Sequence, residues 1–198
     1  MSFTPGTDFI DQFDRVIGWT FRTGADPLQV TALGVFDAGD DGLVDAHAVG
    51  IFRRGEPALL VSATVQAGTA SGLTDHFRYE SASLVLAANT DYVIAAAWGG
   101  NTTGNPGDRW QWSPLFSGVG GPVVFDTHLD LVPGLGGAFA ISSTLVAPTG
   151  NLTDARTMLI GPNFQFSTGI VSAPAPAGVG LFVLGLAALG VLRRRKTA

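Results

Sequence analysis

The nine residues Asp37 to Asp45 read Asp-Ala-Gly-Asp-Asp-Gly-Leu-Val-Asp and hold four carboxylates. Charges of one sign this close repel unless water or a cation lies between them. Asp37, Asp41, Gly42 and Asp45 fall at positions 1, 5, 6 and 9 of an EF-hand-like loop, where oxygen ligands and a glycine-dependent sharp turn surround a calcium ion. Asp37, Asp41 and Asp45 are therefore candidate Ca2+ ligands. Against this, position 3 is Gly39, which offers no ligand, and position 12 is Ala48 in place of a bidentate Glu. A strand, not a helix, is expected to follow. The competing reading is a solvated turn between two strands, which needs no cation.

A second group is aromatic. Trp110 and Trp112 stand two apart, so in an extended segment they share a face. With Trp98 upstream and the polar groups of Asn101 and Asp108 between, they could form a platform on which sugar rings stack. The alternative is that they cap the core beside a long loop. His47, His76 and His128 are isolated, with no partner at metal-ligand spacing. The chain has no Cys, which removes disulfides, thiolate metal sites and thiol nucleophiles together. Nucleophile elbows, zinc-binding His-Glu-x-x-His helices and glycine-rich phosphate loops are also missing. Scattered carboxylates such as Asp75, Glu80 and Asp126 could pair as in glycoside hydrolysis, but spacing alone does not bring them together. The expectation is a non-enzymatic chain with no cofactor beyond a possible Ca2+.

The elements that must position these residues read as strands. Val16–Arg22 alternates, with Ile17, Trp19 and Phe21 on one face. Leu28–Phe36 is rich in β-branched residues. Ala46–Arg53 and Leu59–Gln66 flank a turn at Gly55-Glu56-Pro57. Phe77 and Tyr79 mark a short strand, Leu84–Ala87 is apolar, and Tyr92–Trp98 alternates strongly. Arg109–Trp112, Val123–Phe125 and Ala138–Leu145 are weaker candidates, and Asn163–Ser167 closes the series. No helical period appears before the C-terminal tail. About ten short strands at this spacing predict an all-β body, an antiparallel β-sandwich or jelly-roll-like domain over residues 1–170.

Composition agrees. Charged residues are 14% and Gly is 27 of 198, which suits a turn-rich β protein outside the cytosol. Net charge is −5; without the four C-terminal cations, seven Arg face 16 Asp and Glu, for −9. So acidic a body is repelled by phosphate backbones, which argues against a nucleic-acid partner.

The tail is of another kind. Residues 171–178 form a Pro/Ala linker with Pro174 and Pro176, residues 179–192 are uncharged and apolar throughout, and residues 193–198 begin Arg193-Arg194-Arg195-Lys196. Fourteen residues of helix span about 21 Å, short against a hydrocarbon core of about 30 Å. The basic cluster favours the cytoplasmic side, so the body is expected on the other. The tail should reach the membrane as one hydrophobic helix, at least transiently.

Proline motif, short apolar run and arginine cluster at the extreme C-terminus resemble the PEP-CTERM class of bacterial sorting signals. Ala173-Pro174-Ala175-Pro176-Ala177 stands where that class has Val-Pro-Glu-Pro or Val-Pro-Leu-Pro. The resemblance implies a sorting signal comprising Pro174, Pro176, Arg193, Arg194 and Arg195, and cleavage near the prolines by an exosortase-type transpeptidase. The body also resembles a recurrent bacterial exported domain of unknown function, in Gly18-Trp19-Thr20-Phe21, Val30–Asp37, Val49-Gly50-Ile51-Phe52, Thr90–Ile94 and Gly161-Pro162-Asn163-Phe164. That family implies a β-sandwich and carries over no catalytic residue. Met1–Gly6 has neither a basic nor an apolar segment of the secretory kind, so the natural start is expected upstream of Met1. The reading is an exported, non-enzymatic protein of the cell envelope or extracellular matrix. A carbohydrate-binding module recognising exopolysaccharide and a secreted hydrolase are the alternatives.

Overall fold

Alternating apolar residues and turn-forming loops produce strands throughout. The computed structural model describes residues 8–9, 13–99, 107–114, 126–131, 136–151 and 157–168. Among these residues every regular element is a strand, every strand pair is antiparallel, and no helix is long and apolar enough to cross a membrane. The linker, the apolar run and the basic end, with Pro174, Pro176, Arg193, Arg194 and Arg195, lie outside the described residues, as does Val123–Phe125.

The largest sheet runs β12 (Gly150–Asn151), β11 (Gly137–Ile141), β2 (Arg15–Thr23), β8 (Asp91–Trp98), β4 (His47–Arg53) and β5 (Leu59–Val65), with β10 (Leu129–Leu131) also paired to β2. A second sheet runs β14 (Pro162–Ser167), β3 (Leu28–Phe36), β7 (Phe77–Leu86) and β6 (Gly72–Thr74). A third, small sheet joins β1 (Asp8–Phe9), β9 (Trp110–Pro114) and β13 (Thr157–Ile160).

The first two sheets share one core. Trp19, Phe21 and Ile94 from the larger sheet meet Leu33, Phe77 and Phe164 from the smaller in a single buried cluster. Each such side chain contributes about 1.5–3 kcal/mol when fully buried. Trp19 sits at the junction: its ring lies 5.4 Å from Phe21 and 5.9 Å from Phe164, and its Nε1–H donates to the Pro162 carbonyl at 2.8 Å. That bond satisfies the one polar atom of the ring and ties β2 to β14.

Alternation is not continuous along β3 and β7. Their register shifts between Val30 and Ala32, where Leu84 and Ser81 are the successive partners. A bulge moves the side chains beyond it to the other face. In β3 the core set passes from Leu28 and Val30 to Leu33 and Val35; in β7 it passes from Phe77 and Tyr79 to Ala82, Leu84 and Leu86. The two separate segments expected around Phe77–Tyr79 and Leu84–Ala87 are therefore one bulged strand.

The outer face of the larger sheet is lined with small residues. Val16, Phe52, Ala95 and Ala97 form a second buried cluster, packed under Leu145 and Ala147 of the segment 142–149. A Cβ on Gly50 would lie 2.8 Å from the Val61 carbonyl oxygen, backbone that cannot move aside, as well as against Leu59 and Leu145, so glycine is required there. An open cavity of about 840 Å³ lies beside this strap, lined by Phe52, Pro57, Leu59, Leu145 and Pro148 with Arg53 among them.

Candidate functional site

The acidic loop and the tryptophan segment, about 70 residues apart in the chain, meet at one end of the fold. The acidic loop leaves β3 at Asp37, whose amide donates to the His76 carbonyl at 2.8 Å. Its backbone then turns through positive φ at Gly39, Asp40 and Gly42. Asp is one of the few side chains that tolerates this region, at Asp40; at Gly42 a Cβ would also lie 3.0 Å from Thr69 Cγ2. Leu43 then pairs with Gly68 and is buried in the core.

Asp37 itself is buried, at 2% exposure. Arg78 Nε donates to its Oδ2 at 2.6 Å, and the Gly42 amide donates to the same oxygen at 3.0 Å. The guanidinium is otherwise spent on backbone: Nη1 donates to the Thr69 and Ser71 carbonyls and Nη2 to that of Asp40. The planar fork of Arg78 thus holds both loops at this end of the smaller sheet in one network, a task a point-charge lysine performs poorly. On the surface, the His76 ring stands 3.0 Å from both Asp40 carboxylate oxygens.

A second buried pair lies beside the first. Asp108 precedes β9, and its carboxylate accepts the amides of Val44 and Asp45, each at 2.8 Å. It also accepts His47 Nε2 at 2.8 Å, while Nδ1 of the same ring donates to the Ala97 carbonyl at 2.9 Å. Both ring nitrogens face acceptors, so only the doubly protonated imidazole donates to both. The Trp98 ring stacks on His47 at 4.4 Å, and its Nε1–H donates to the Asp108 carbonyl at 2.7 Å. Burial pushes the Asp108 carboxyl up, but the His47 hydrogen bond, the two amides and the His47 charge outweigh it and hold the group below the ordinary carboxylate range.

These contacts assign the residues singled out from sequence. Asp37 spends its carboxylate on Arg78 and Gly42, so a cation would have to displace the guanidinium to use it. Asp41 and Asp45 are exposed, and among the described residues no group of three His, Cys, Asp or Glu is arranged to hold a metal ion. Trp98 is 1% exposed with one ring face on His47, a core residue with no face open to a sugar. Trp110 is half-buried against the core. Trp112 pairs with Leu159 in the third sheet, and its side chain lies outside the described residues. Glu80 accepts from Ser71 Oγ at 2.6 Å, and Asp126 bonds His128 two residues on.

Sequence reasoning left His47 without a partner, gave Asp108 only to the sugar platform, and passed over Arg78. One signal was available: His47 has the parity of Val49 and Ile51, so it had to point inward and find partners there. Arg78 gave none, because alternation between Phe77 and Tyr79 places it outside. The surface left between the two pairs is a shallow depression of about 310 Å³, lined by Asp41, Gly42, Val44, Gly107, Asp108 and Arg109. It is open and mixed in polarity, with the exposed Asp41 carboxylate on its rim. No protein-family model matches this chain, and no curated protein or solved structure is significantly similar to it.

Proposed function

We propose that this chain is an exported, non-enzymatic protein of the cell envelope or extracellular matrix. Its β-sandwich, jelly-roll-like body is delivered by a PEP-CTERM-like tail that a membrane transpeptidase of the exosortase type removes. The observation that carries the reading is the order of the tail: Pro174 and Pro176, then the apolar run 179–192, then Arg193, Arg194 and Arg195 ahead of Lys196. The cations stay in the cytoplasm, the short helix spans transiently, and the prolines keep the cleavage region extended on the outer side. The chemistry of the described body supports a structural role, since Asp37, Arg78, His47 and Asp108 are consumed in holding loops together.

In a host that carries an exosortase, the full-length precursor is converted to a form lacking the tail, and replacing Arg193, Arg194 and Arg195 by Ser reduces the conversion. Mass spectrometry of surface-recovered protein reads the outcome. Mature protein that still ends at Ala198 refutes the sorting reading.

The depression beside Asp41 favours one second reading, recognition of an exopolysaccharide through sugar hydroxyls. Binding of cell-derived polysaccharide that is lost in Asp41→Ala without a fall in melting temperature supports it; no binding by the parent protein removes it.

A further inference from the structure

The cavity on the outer face of the larger sheet is a groove between two walls. Phe52 and Val93, paired neighbours on β4 and β8, are its buried floor. The β4–β5 turn, with Pro57 and Leu59, makes one wall, and the strap makes the other with Leu145, Val146 and Pro148. Leu59 and Val146 remain 44% and 39% exposed, so the walls are apolar surface that the described residues leave open. At about 840 Å³ the groove falls within the range of small-molecule sites, which are mostly apolar with a few polar groups that fix the ligand's orientation.

Here the polar groups are charged and stand together. Arg53, Arg54 and Glu56 line the groove at the turn. Arg53 Nε lies 3.7 Å from Glu56 Oε1, and Arg54 Nη1 lies 3.6 Å from Asp91 Oδ2, both too long for hydrogen bonds. Asp91 is already held by Arg22, whose Nε and Nη2 donate to its two oxygens at 2.6 and 3.1 Å. Within the groove, two guanidiniums thus stand against the single carboxylate of Glu56, in a body where seven Arg face 16 acidic residues. The local balance is the reverse of the balance of the body.

We infer that this groove binds a single-chain anionic amphiphile of the fatty-acid class. Its acyl chain lies along Phe52, Leu59 and Val146, and its carboxylate is received by Arg53 and Arg54. The two features select this class only in combination. Apolar walls alone would accept any oily molecule, and a guanidinium alone would accept any small anion. A guanidinium receives a carboxylate through two parallel N–H donors, and an acyl chain attached to that carboxylate covers the exposed faces of Leu59 and Val146. A cationic amphiphile would instead set its charge against the two arginines. The groove belongs to the body, and the inference holds whether or not the tail is removed.

The test uses full-length protein in a mild non-ionic detergent, irradiated with a diazirine-bearing dodecanoate, with labelled residues mapped by mass spectrometry. Val85, 49% exposed on β7 of the smaller sheet, reports the labelling of ordinary apolar surface. Label on residues 52–59 and 142–149 is expected to exceed that on Val85 at least fivefold. Unlabelled dodecanoate is expected to remove the excess, and dodecyltrimethylammonium is expected to leave it. Arg53 and Arg54 have side chains 56% and 42% exposed, so changing both to Gln should leave the circular dichroism of the fold unchanged. That variant is expected to lower the groove label at least fivefold with the Val85 label unaltered. Val146→Asp, which sets a carboxylate in the apolar wall, is expected to do the same. Label no denser in the groove than on Val85 overturns the inference, as does equal competition by the cationic amphiphile. So does either variant if it labels like the parent.

Discussion

Removing the Asp108 carboxylate tests whether the His47–Asp108 pair holds the acidic loop against the larger sheet. The two side chains are 8% and 3% exposed, so water cannot simply take over. In Asp108→Ala three donors lose their acceptor: the amides of Val44 and Asp45 and the His47 ring. The amides lie near the surface and rehydrate at small cost. The His47 nitrogen is buried, and breaking one side of a buried ion pair costs about 3–5 kcal/mol. The lower end is expected, about 3 kcal/mol, which is a fall in melting temperature of about 6–12 °C for a chain of this length. His47→Ala should cost a similar amount and also lose the stack on Trp98. Because both variants break one interaction, the double variant should fall short of the sum by about 1–3 kcal/mol. The pH dependence has a definite sign. Asp108 is held below its ordinary value of 3.8, so its stabilisation is full above that pH and is lost as pH falls through the lower folded value. The gap between parent and Asp108→Ala should therefore narrow in acid. Strictly additive single variants, or a gap unchanged under acid conditions, would refute the ion-pair account.

Two further outcomes follow from the same contacts. Arg78→Lys should destabilise the protein by about 2–4 kcal/mol, because lysine replaces the donor to Asp37 but not the fork that reaches the Thr69, Ser71 and Asp40 carbonyls; thermal unfolding reads it. With Asp37 so occupied, calcium and chelator should give the same melting temperature, and a rise with calcium that Asp41→Ala abolishes would restore the cation site. Gly18→Ala should cost more than Gly55→Ala: its Cβ would lie 2.0 Å from the Ile94 carbonyl oxygen, whereas Gly55 has open space around it and only a positive φ to lose, worth about 1 kcal/mol.

Strand identity was legible in the sequence wherever one period held. Ile17, Trp19 and Phe21, or Tyr92, Ile94 and Ala96, alternate without interruption, and those strands appear within a residue or two of their expected bounds. Sequence failed where the period breaks. The bulge in β7 made one strand read as two pieces, and β10, β12 and β13 are too short or too polar to show a period. The tail, by contrast, is a reading of sequence alone, because uniform apolarity followed by four cations needs no fold to interpret.

What the tertiary structure decided is the fate of each polar side chain. Four carboxylates in nine residues look alike in sequence, yet Asp37 is buried beneath Arg78, Asp40 faces His76 at the surface, and Asp41 borders the open depression. Trp98 and Trp110 look like one platform, yet Trp98 is walled in by His47. The reason is range. Local pattern sets which face a residue points to, over a few positions, whereas an ion pair or a stack depends on partners 41 or 61 residues away that meet only when the sheets close on one core.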